Sequence, residues 1–242
     1  MLTILYRVYQ ILIMCPLIAV STILTATFTV IGSAMGFGRW CGYYPEVLWS
    51  RLFCWLNFVS VSVTGREHID TSTSYVFVAN HQGAYDIFTV YGYLGHNFRW
   101  MMKASLRKIP FVGWACRWSK QIFMDNSTPS ATRHTMQEAE KVLSGGMSMV
   151  IFPEGARTWD GKMRPFKRGA FKLASEFDLP IVPMTINGAF DVMPRWRYLP
   201  LPGHISLTIH RPVTFADFGG DLQKTAEGVH EIIENSLAKP RK

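Results

Sequence analysis

A histidine and an aspartate lie five residues apart in the segment VANHQGAYDIF, residues 78–88. The apolar run Tyr75–Ala79 predicts a buried strand, so His81 would lie between the end of that strand and the start of a helix. Asp86, in the first turn of the helix, could bind one ring nitrogen, which would fix the tautomer and leave the other nitrogen free to accept a proton. This spacing predicts a general base with an orienting carboxylate.

No nucleophile of the protein accompanies this pair. The sequence contains no G-x-S-x-G segment, and its four cysteines show no C-x-x-C spacing. A base without a protein nucleophile indicates that the substrate supplies one, such as a hydroxyl that attacks an activated acyl group. We expect no metal ion, because no further histidine or carboxylate ligands cluster near the pair.

A second set of polar residues occurs in VIFPEGARTWDGKMRPFKRGAF, residues 150–171. Here an apolar strand leads into Glu154 and Gly155, and then into Arg157. The planar guanidinium of Arg157 suits phosphate oxygens, and Gly155 would let the backbone approach a ligand closely. The sequence also allows a simpler interpretation, in which Arg157 forms an ion pair with Glu154 in a turn.

A third stretch, residues 101–127, interleaves basic and apolar side chains. Lys103, Arg107 and Lys108 are the basic residues at its start. This mixture suits the wall of a site that is wet and anionic at one end and apolar at the other. Taken alone, the stretch favours the alternative, which is a row of surface cations beside core residues.

Behind residue 64, short apolar runs alternate with helical patterns. This alternation predicts an α/β domain over residues 65–242, with a mixed, largely parallel central sheet flanked by helices. The predicted strands are Tyr75–Ala79, Trp100–Lys103, Gln121–Met124, Met147–Phe152, Ile181–Ile186 and Ile205–Ile209. The predicted helices are Tyr85–Leu94, Thr132–Ser144, Gly169–Glu176 and Asp221–Leu237. Both motifs follow predicted strands, and functional groups in such sheets gather in the loops at the strand ends.

The N-terminal part, residues 1–64, is predicted to be a helical segment associated with a membrane. No charged side chain lies between Arg7 and Arg39. As a helix, Ile11–Gly36 would be about 39 Å long, which exceeds a hydrocarbon core of roughly 30 Å. This segment could cross the membrane with tilt, or enter it and return. A signal peptide would be shorter, and a helix of a soluble core would show a polar face.

A second apolar stretch, residues 46–63, repeats apolar side chains at helical spacing as far as Val59. Arg51 and the two tryptophans of this stretch suit the headgroup layer of a bilayer. Packing of the same helix against the α/β domain explains the pattern equally well.

The net charge of +8 is concentrated in short stretches. Six basic residues and no acidic one lie from Arg99 to Lys120. Basic clusters behind an apolar anchor indicate an anionic membrane surface, a phosphorylated substrate, or both. Nucleic acid is disfavoured as a partner, because no RNA- or DNA-binding motif accompanies the charge.

Several of these segments resemble the motifs of one family. NHQGAYD, which begins at Asn80, fits the N-H-x4-D motif of the glycerolipid acyltransferases. FPEGAR, which ends at Arg157, fits their F-P-E-G-[ST]-R motif. The stretch from Lys103 to Gly113 and the segment Ile181–Met184 resemble the other two blocks, in family order. The chain resembles the bacterial 1-acyl-sn-glycerol-3-phosphate acyltransferases of the PlsC type.

The resemblance implies transfer of a fatty acyl group from an acyl-CoA or acyl carrier protein thioester to the 2-hydroxyl of lysophosphatidic acid, which gives phosphatidic acid. It implies no cofactor, a membrane lipid as acceptor, and a catalytic domain that faces the cytoplasm at a bacterial inner membrane. By this likeness His81 is the base and Asp86 orients it. The acceptor-phosphate site then consists of Glu154, Gly155 and Arg157. We expect Lys103 to help Arg157 hold the phosphate.

The sequence departs from the family motifs at two positions. Ala156 stands where the family usually has serine or threonine, and Asn126 stands where it often has an arginine. These departures leave open acylation of a different lysolipid, such as a lyso-amino-acid lipid. A lipid-phosphate binder without catalysis and a metal-dependent lipid hydrolase are alternatives from other classes. The His81–Asp86 pair argues against the binder, since binding alone needs no base.

Overall fold

The computed structural model describes residues 2–125 and 127–238. Asn126, one of the two departures from the family motifs, lies outside the described residues. The strands are β1 (Val59–Thr64), β2 (Val76–Ala79), β3 (Phe98–Lys103), β4 (Ile122–Met124), β5 (Ser148–Ile151), β6 (Ile181–Asn187) and β7 (Gly203–Ile209). They form one sheet in the order β1-β7-β6-β2-β5-β3-β4. The β6–β7 pair is antiparallel and the other pairs are parallel, which confirms the predicted mixed sheet.

Helices surround this sheet, as predicted. They are α1 (Leu2–Tyr9), α2 (Cys15–Gly32), α3 (Gly38–Cys41), α4 (Tyr44–Leu56), α5 (Tyr85–Tyr93), α6 (Val112–Trp118), α7 (Pro129–Ser144), α8 (Gly169–Glu176), α9 (Ala189–Val192) and α10 (Leu222–Asn235). The π-helical segments Gln10–Met14 and Ser33–Phe37 join α1 to α2 and α2 to α3. Every strand and helix predicted behind residue 64 is present, and the ends differ by a few residues. The predictions omitted α6 and α9, because one or two turns are too short to show a helical period.

The predictions also omitted β1. Its residues alternate valine with a hydroxyl side chain, which is the period of a strand, and it pairs in parallel with β7 from Val59 to Thr64. The helical spacing that extended to Val59 in the sequence ends at Leu56 in the structure, where α4 ends. β1 therefore precedes residue 65 in the chain and belongs to the same sheet as the strands behind it.

Helices cover both faces of the sheet, so the central strands are buried on both sides. β2 shows this most directly, because all residues of Val76–Ala79 are buried. Val76 and Val78 pack with residues of α7, α8 and α10, whereas Phe77 and Ala79 pack with residues of α4, α5 and α9. This packing fixes the ends of the parallel strands, from which the polar loops leave.

Helix α4 packs against the domain on one side and is exposed on the other. Arg51 donates from Nε to the carbonyl of Gly92 in α5 at 2.7 Å, and Cys54 is fully buried. Leu48 and Trp55 are 69% and 73% exposed. The second apolar stretch thus packs against the α/β domain, which was one of its two predicted alternatives, and it also presents an apolar face outward.

The apolar segment Thr3–Cys41 spans 39 residues and is helical except for a break at Gly36; its most apolar window has a mean hydropathy of 2.2, and 11% of that window is buried. Its length and composition are sufficient to cross a membrane. Gln10 donates to the Pro200 carbonyl at 2.9 Å, and Arg39 donates to the Gly146 carbonyl at 3.3 Å. Pro200 precedes β7 and Gly146 precedes β5. Because these two strands run in opposite directions, the two contacts lie at opposite ends of the strands. The helical segment therefore runs along the side of the domain from one end of the strands to the other.

Polar contacts also hold the middle of this segment. Thr22 accepts from Nε1 of Trp49 at 2.9 Å, and Thr29 donates to Oε1 of Glu46 at 2.9 Å. Both threonines lie on one face of α2, two turns apart. Gly36, with a φ of 96°, bends the chain before α3, and α4 then returns alongside α2. The chain therefore changes direction at Gly36, and α4 packs alongside α2.

Asn80 extends the pairing of β2 with β6 beyond the last residue of β2. Its side chain is fully buried, donates to the carbonyl of Ile186 at 2.9 Å, and accepts from the N–H of Ile186 at 2.8 Å. Asn80→Ala removes both partners at once and leaves two buried backbone groups unsatisfied. We expect the free energy of unfolding, measured by denaturant titration in detergent, to fall by about 2–4 kcal/mol.

Asn187→Ala is the matched control for this prediction. The Asn187 amide donates to the Ser236 carbonyl at 3.1 Å in a more exposed setting, where water can replace the lost partner. It should lower the free energy of unfolding by less than about 1 kcal/mol. Equal losses in the two variants would contradict the role given to Asn80.

Candidate active site

The predicted site residues meet at one edge of the sheet. His81 follows β2, and Lys103 ends β3. The loop that contains Glu154 and Arg157 follows β5, which lies between those two strands. The three strands are parallel, so their ends lie at the same edge. The N–H of Thr158 donates to the carbonyl of His81 at 3.1 Å, which joins two of the loops directly.

The side chains of His81 and Asp86 form the predicted pair. Asp86 is fully buried, and its Oδ2 accepts from Nδ1–H of His81 at 2.8 Å. An ionised carboxylate only accepts, so this contact assigns the proton of the neutral ring to Nδ1. The other nitrogen, Nε2, has no hydrogen-bond partner within residues 2–125 and 127–238, and the ring is 14% exposed. Nε2 is therefore open to a proton donor.

Backbone groups hold Asp86 in position. Its Oδ2 also accepts from the N–H of Gln82 at 2.7 Å and from the N–H of Gly83 at 2.9 Å. Both donors lie in the turn before α5, where backbone N–H groups have no helical partner. The loop that carries His81 therefore also fixes the carboxylate that orients it.

Gly83 allows this loop to lie against α9. A Cβ atom at residue 83 would lie 2.2 Å from the carbonyl oxygen of Ala189, which no side chain tolerates. The N–H of Ala84 donates to the carbonyl of Met193 at 3.0 Å and holds the contact. Sequence reasoning missed this support, because α9 was not predicted. The glycine beside the histidine is the signal that could have indicated a close backbone approach.

An aromatic stack forms the wall behind the base. The ring of Phe152 lies parallel to that of His81, with centroids 4.0 Å apart and an interplanar angle of 6°. Trp100 stacks on the other side of Phe152 at 5.1 Å. The stack fixes the plane of the imidazole and covers one face of it with apolar surface. Sequence reasoning missed this role, although Phe152 is the first residue of FPEGAR.

Glu154 joins the two motifs through backbone groups. Its Oε1 accepts from the N–H of His81 at 2.7 Å, and its Oε2 accepts from the N–H of Arg164 at 3.0 Å. Burial raises the pKa of Glu154 to about 7, and the nearby charge of Asp86 adds to the rise, although the two N–H donors oppose it. Both oxygens of Glu154 thus have backbone partners. We infer that this residue positions the loops, whereas the family resemblance placed it in the phosphate site.

Arg157 is half-buried and has no carboxylate within 4 Å among residues 2–125 and 127–238. The ion pair between Arg157 and Glu154, which the sequence allowed, is therefore not formed. Gly155 has a φ of 77°, a conformation that favours glycine, and the ammonium of Lys167 lies over it, 2.7 Å from where a Cβ would be. Lys103 is exposed at the end of β3. Cationic groups thus surround the strand ends.

The part of the chain that the structure describes contains no group of three or more histidine, cysteine, aspartate or glutamate residues that could hold a metal ion. The carboxylate oxygen that contacts the base and both oxygens of Glu154 already have partners, whereas the buried Oδ1 of Asp86 has none among the described residues. Asp86 accepts from His81, and Glu154 accepts from backbone N–H groups. The arrangement suits proton transfer to Nε2 of His81 beside a site for an anion.

The fold resembles a solved structure over nearly the whole chain. The crystal structure of the 1-acyl-sn-glycerophosphate acyltransferase PlsC from Thermotoga maritima aligns with a TM-score of 0.81 and 26% identity, over 96% of this chain and 93% of that chain. The family model described as Acyltransferase matches residues 60–187, more than half of the chain. The chain belongs to this acyltransferase family, which confirms the predicted resemblance.

Several curated relatives are named 1-acyl-sn-glycerol-3-phosphate acyltransferases. The chain is 30% identical over 173 residues to the chloroplastic 1-acyl-sn-glycerol-3-phosphate acyltransferase BAT2 of Brassica napus, covering 71% of this chain and 50% of that protein. It is 33% identical over 184 residues to the 1-acyl-sn-glycerol-3-phosphate acyltransferase of Saccharomyces cerevisiae, covering 74% of this chain and 60% of that protein. The chain spans about half the length of several of the curated relatives that it matches.

The raised pKa of Glu154 predicts a change of stability with pH. The folded protein binds this proton more tightly than the unfolded chain, so the carboxylate destabilises the fold once it ionises. Relative to a Glu154→Gln variant, the wild type should lose on the order of 3 kcal/mol of unfolding free energy as the pH rises from about 4.5 to about 7. Denaturant titrations of both proteins across this range measure the difference.

A Glu138→Gln variant is the control for this prediction. Glu138 is 43% exposed and pairs with Lys141, which lowers the pKa of its carboxyl group. The stability of this variant relative to wild type should change little across the same pH range. A constant difference between the wild type and Glu154→Gln would contradict the buried, proton-binding setting described for Glu154.

Proposed function

We propose that this protein transfers a fatty acyl group from a thioester, either acyl-CoA or acyl carrier protein, to the 2-hydroxyl of lysophosphatidic acid and so forms phosphatidic acid. The observation that carries the proposal is the open Nε2 of His81, oriented through Nδ1 by buried Asp86, in a loop bonded directly to that of Arg157. The names of the relatives and of the Thermotoga maritima protein support the same acceptor.

The reaction needs one proton acceptor and no nucleophile from the protein. Nε2 of His81 takes the proton of the lipid hydroxyl as its oxygen attacks the thioester carbonyl. The carbon–sulfur bond then breaks, and the leaving sulfur receives the proton from Nε2, which restores the base. Asp86 stabilises the imidazolium that exists between the two transfers. The thioester is already activated, so positioning and proton transfer account for most of the task.

The acceptor phosphate would bind at the cationic side of the site. The guanidinium of Arg157 forms no ion pair with a carboxylate among the described residues. It can offer two parallel donors to phosphate oxygens. Lys103 adds charge from the end of β3. Lys167, whose ammonium lies over Gly155, adds a further cation to the loop that carries Arg157. The absence of a hydroxyl at Ala156 removes one contact, and the acceptor assignment therefore rests mainly on Arg157.

The apolar N-terminal part would hold the site at a membrane surface. Because Thr3–Cys41 contacts the domain at both ends, we infer that it lies within one leaflet and does not cross the bilayer. Its outward residues are exposed, as shown by Leu12 at 69% and Leu24 at 64%. Placement on the cytoplasmic side of a bacterial inner membrane would give access to acyl-CoA or acyl carrier protein. No cofactor beyond this acyl donor is required.

The proposal predicts that His81→Ala abolishes acyl transfer without unfolding the protein. Purified protein receives lysophosphatidic acid and acyl-CoA, and both free thiol and phosphatidic acid are followed. Loss of a positioned base should lower kcat by about 10²–10⁴-fold, with an unchanged melting temperature. His204→Ala is the control, because His204 lies on the exposed side of β7 and bonds Ser60 and Ser62.

Four results would contradict this proposal. Near-normal turnover in well-folded His81→Ala would exclude the base. Thiol release without phosphatidic acid would indicate hydrolysis of the donor. Binding of lysophosphatidic acid by the wild type with no turnover would favour the lipid-phosphate binder, and a faster reaction with a phosphate-free lysolipid would favour a different acceptor.

A further inference from the structure

A second arginine lies beside Arg157 on a different loop. Arg195, which follows α9, donates from Nη1 to the backbone carbonyl of Arg157 at 3.2 Å. Its guanidinium also lies over the ring of Trp159, 4.5 Å from the centroid. Trp159 and Arg157 belong to the loop after β5, so Arg195 links the loop after α9 to the loop that carries the first arginine. The family motifs that identified the site do not include this residue.

The loop of Arg195 is held at both of its ends. The carbonyl of Met193 accepts from the N–H of Ala84, in the loop of the base, at 3.0 Å. The carbonyl of Pro200 accepts from the buried amide of Gln10, in the N-terminal helical segment, at 2.9 Å. Arg195 therefore belongs to a segment that is bonded both to the loop of the base and to the N-terminal helical segment.

Within the described residues, neither of the two arginines is held in an ion pair. Neither Arg157 nor Arg195 has a carboxylate within 4 Å in residues 2–125 and 127–238. Burial lowers the pKa of Arg157, the negative charge of Asp86 opposes this shift, and the weaker effect of the neighbouring charge of Arg195 adds to it. Two adjacent guanidinium groups repel each other, and an anion bound between them would offset that repulsion.

We propose that Arg195 is a second headgroup-binding residue, which together with Arg157 makes the site selective for a phosphomonoester. This inference rests on the proposed function and extends it to acceptor choice. A phosphomonoester carries nearly two negative charges at neutral pH, whereas the phosphodiester of other lysophospholipids carries one. Two guanidinium groups match the double charge of the phosphomonoester, and each group supplies its own pair of planar donors. Stacking on Trp159 keeps the second group in place before the lipid arrives.

The test measures equilibrium binding and kinetics on the full chain in detergent. The binding probes are a short-chain lysophosphatidic acid and a lysophosphatidylglycerol of the same chain length, without an acyl donor. Arg195→Gln should weaken binding of the monoester by about 10- to 100-fold and binding of the diester by much less. In turnover with acyl-CoA, KM for lysophosphatidic acid should rise by a similar factor, while kcat stays within about threefold.

Two further variants separate charge from packing. Arg195→Lys keeps the charge but not the planar fork, so it should recover only part of the monoester affinity. Arg197→Gln is the matched control, since Arg197 belongs to the same loop but stacks on Trp196 and donates to the Asp191 carbonyl. It should leave the affinities for both probes unchanged.

Two binding results would overturn the assignment of Arg195. One is an Arg195→Gln variant that retains the wild-type preference for the monoester. The other is equal weakening for both probes, which would indicate a structural role. The binding comparison does not depend on acyl transfer. A wild type that binds both probes but forms no phosphatidic acid would therefore contradict the proposed function alone, and the comparison between variants would still decide the role of Arg195.

Discussion

The hydrogen bond between Nδ1 of His81 and Oδ2 of Asp86, 2.8 Å long, is the interaction on which the rest of the site depends. Asp86 is fully buried, and the imidazole and the N–H groups of Gln82 and Gly83 all donate to its Oδ2, whereas its buried Oδ1 has no hydrogen-bond partner among the described residues. The same contact fixes the tautomer of His81 and directs Nε2 outward. The turn before α5 thus holds the carboxylate of Asp86 in place, and that carboxylate orients His81 as a base.

The rest of the site positions this turn against its neighbours. Glu154 uses its two carboxylate oxygens to bond the backbone of the His81 loop and the backbone at Arg164, so the segments NHQGAYD and FPEGAR are joined into one unit. Phe152 stacks on the imidazole of His81, and α9 contacts the loop of His81 closely at Gly83. The parallel strands supply the frame, because their ends must lie at one edge of the sheet. The side chains of the site are therefore supplied mainly by the loops that follow these strands.

Local patterns in the sequence were sufficient to predict the sheet strands behind residue 64, the major helices and the His81–Asp86 pair, because each depends on the period of neighbouring residues. β1 was missed, since its Val-Ser alternation directly follows a helical apolar pattern. The partners of Glu154, the stack on Phe152 and the position of Arg195 depend on loops that are distant in sequence, and no local pattern specifies them. Glu154 is instructive in this respect. Its place in a phosphate-binding motif suggested contact with a ligand, whereas the geometry gives its oxygens to the backbone.

The tautomer of His81 is the most direct test of this account. Nitrogen-15 NMR of histidine-labelled protein in mildly alkaline detergent solution, with the His81 signals identified by their loss in His81→Gln, reports which ring nitrogen carries the proton. The account predicts a protonated Nδ1 and an unprotonated Nε2, and a redistribution of the proton in Asp86→Asn. A proton on Nε2 in the wild type, or an unchanged ring in Asp86→Asn, would contradict the claim that the buried carboxylate creates the base.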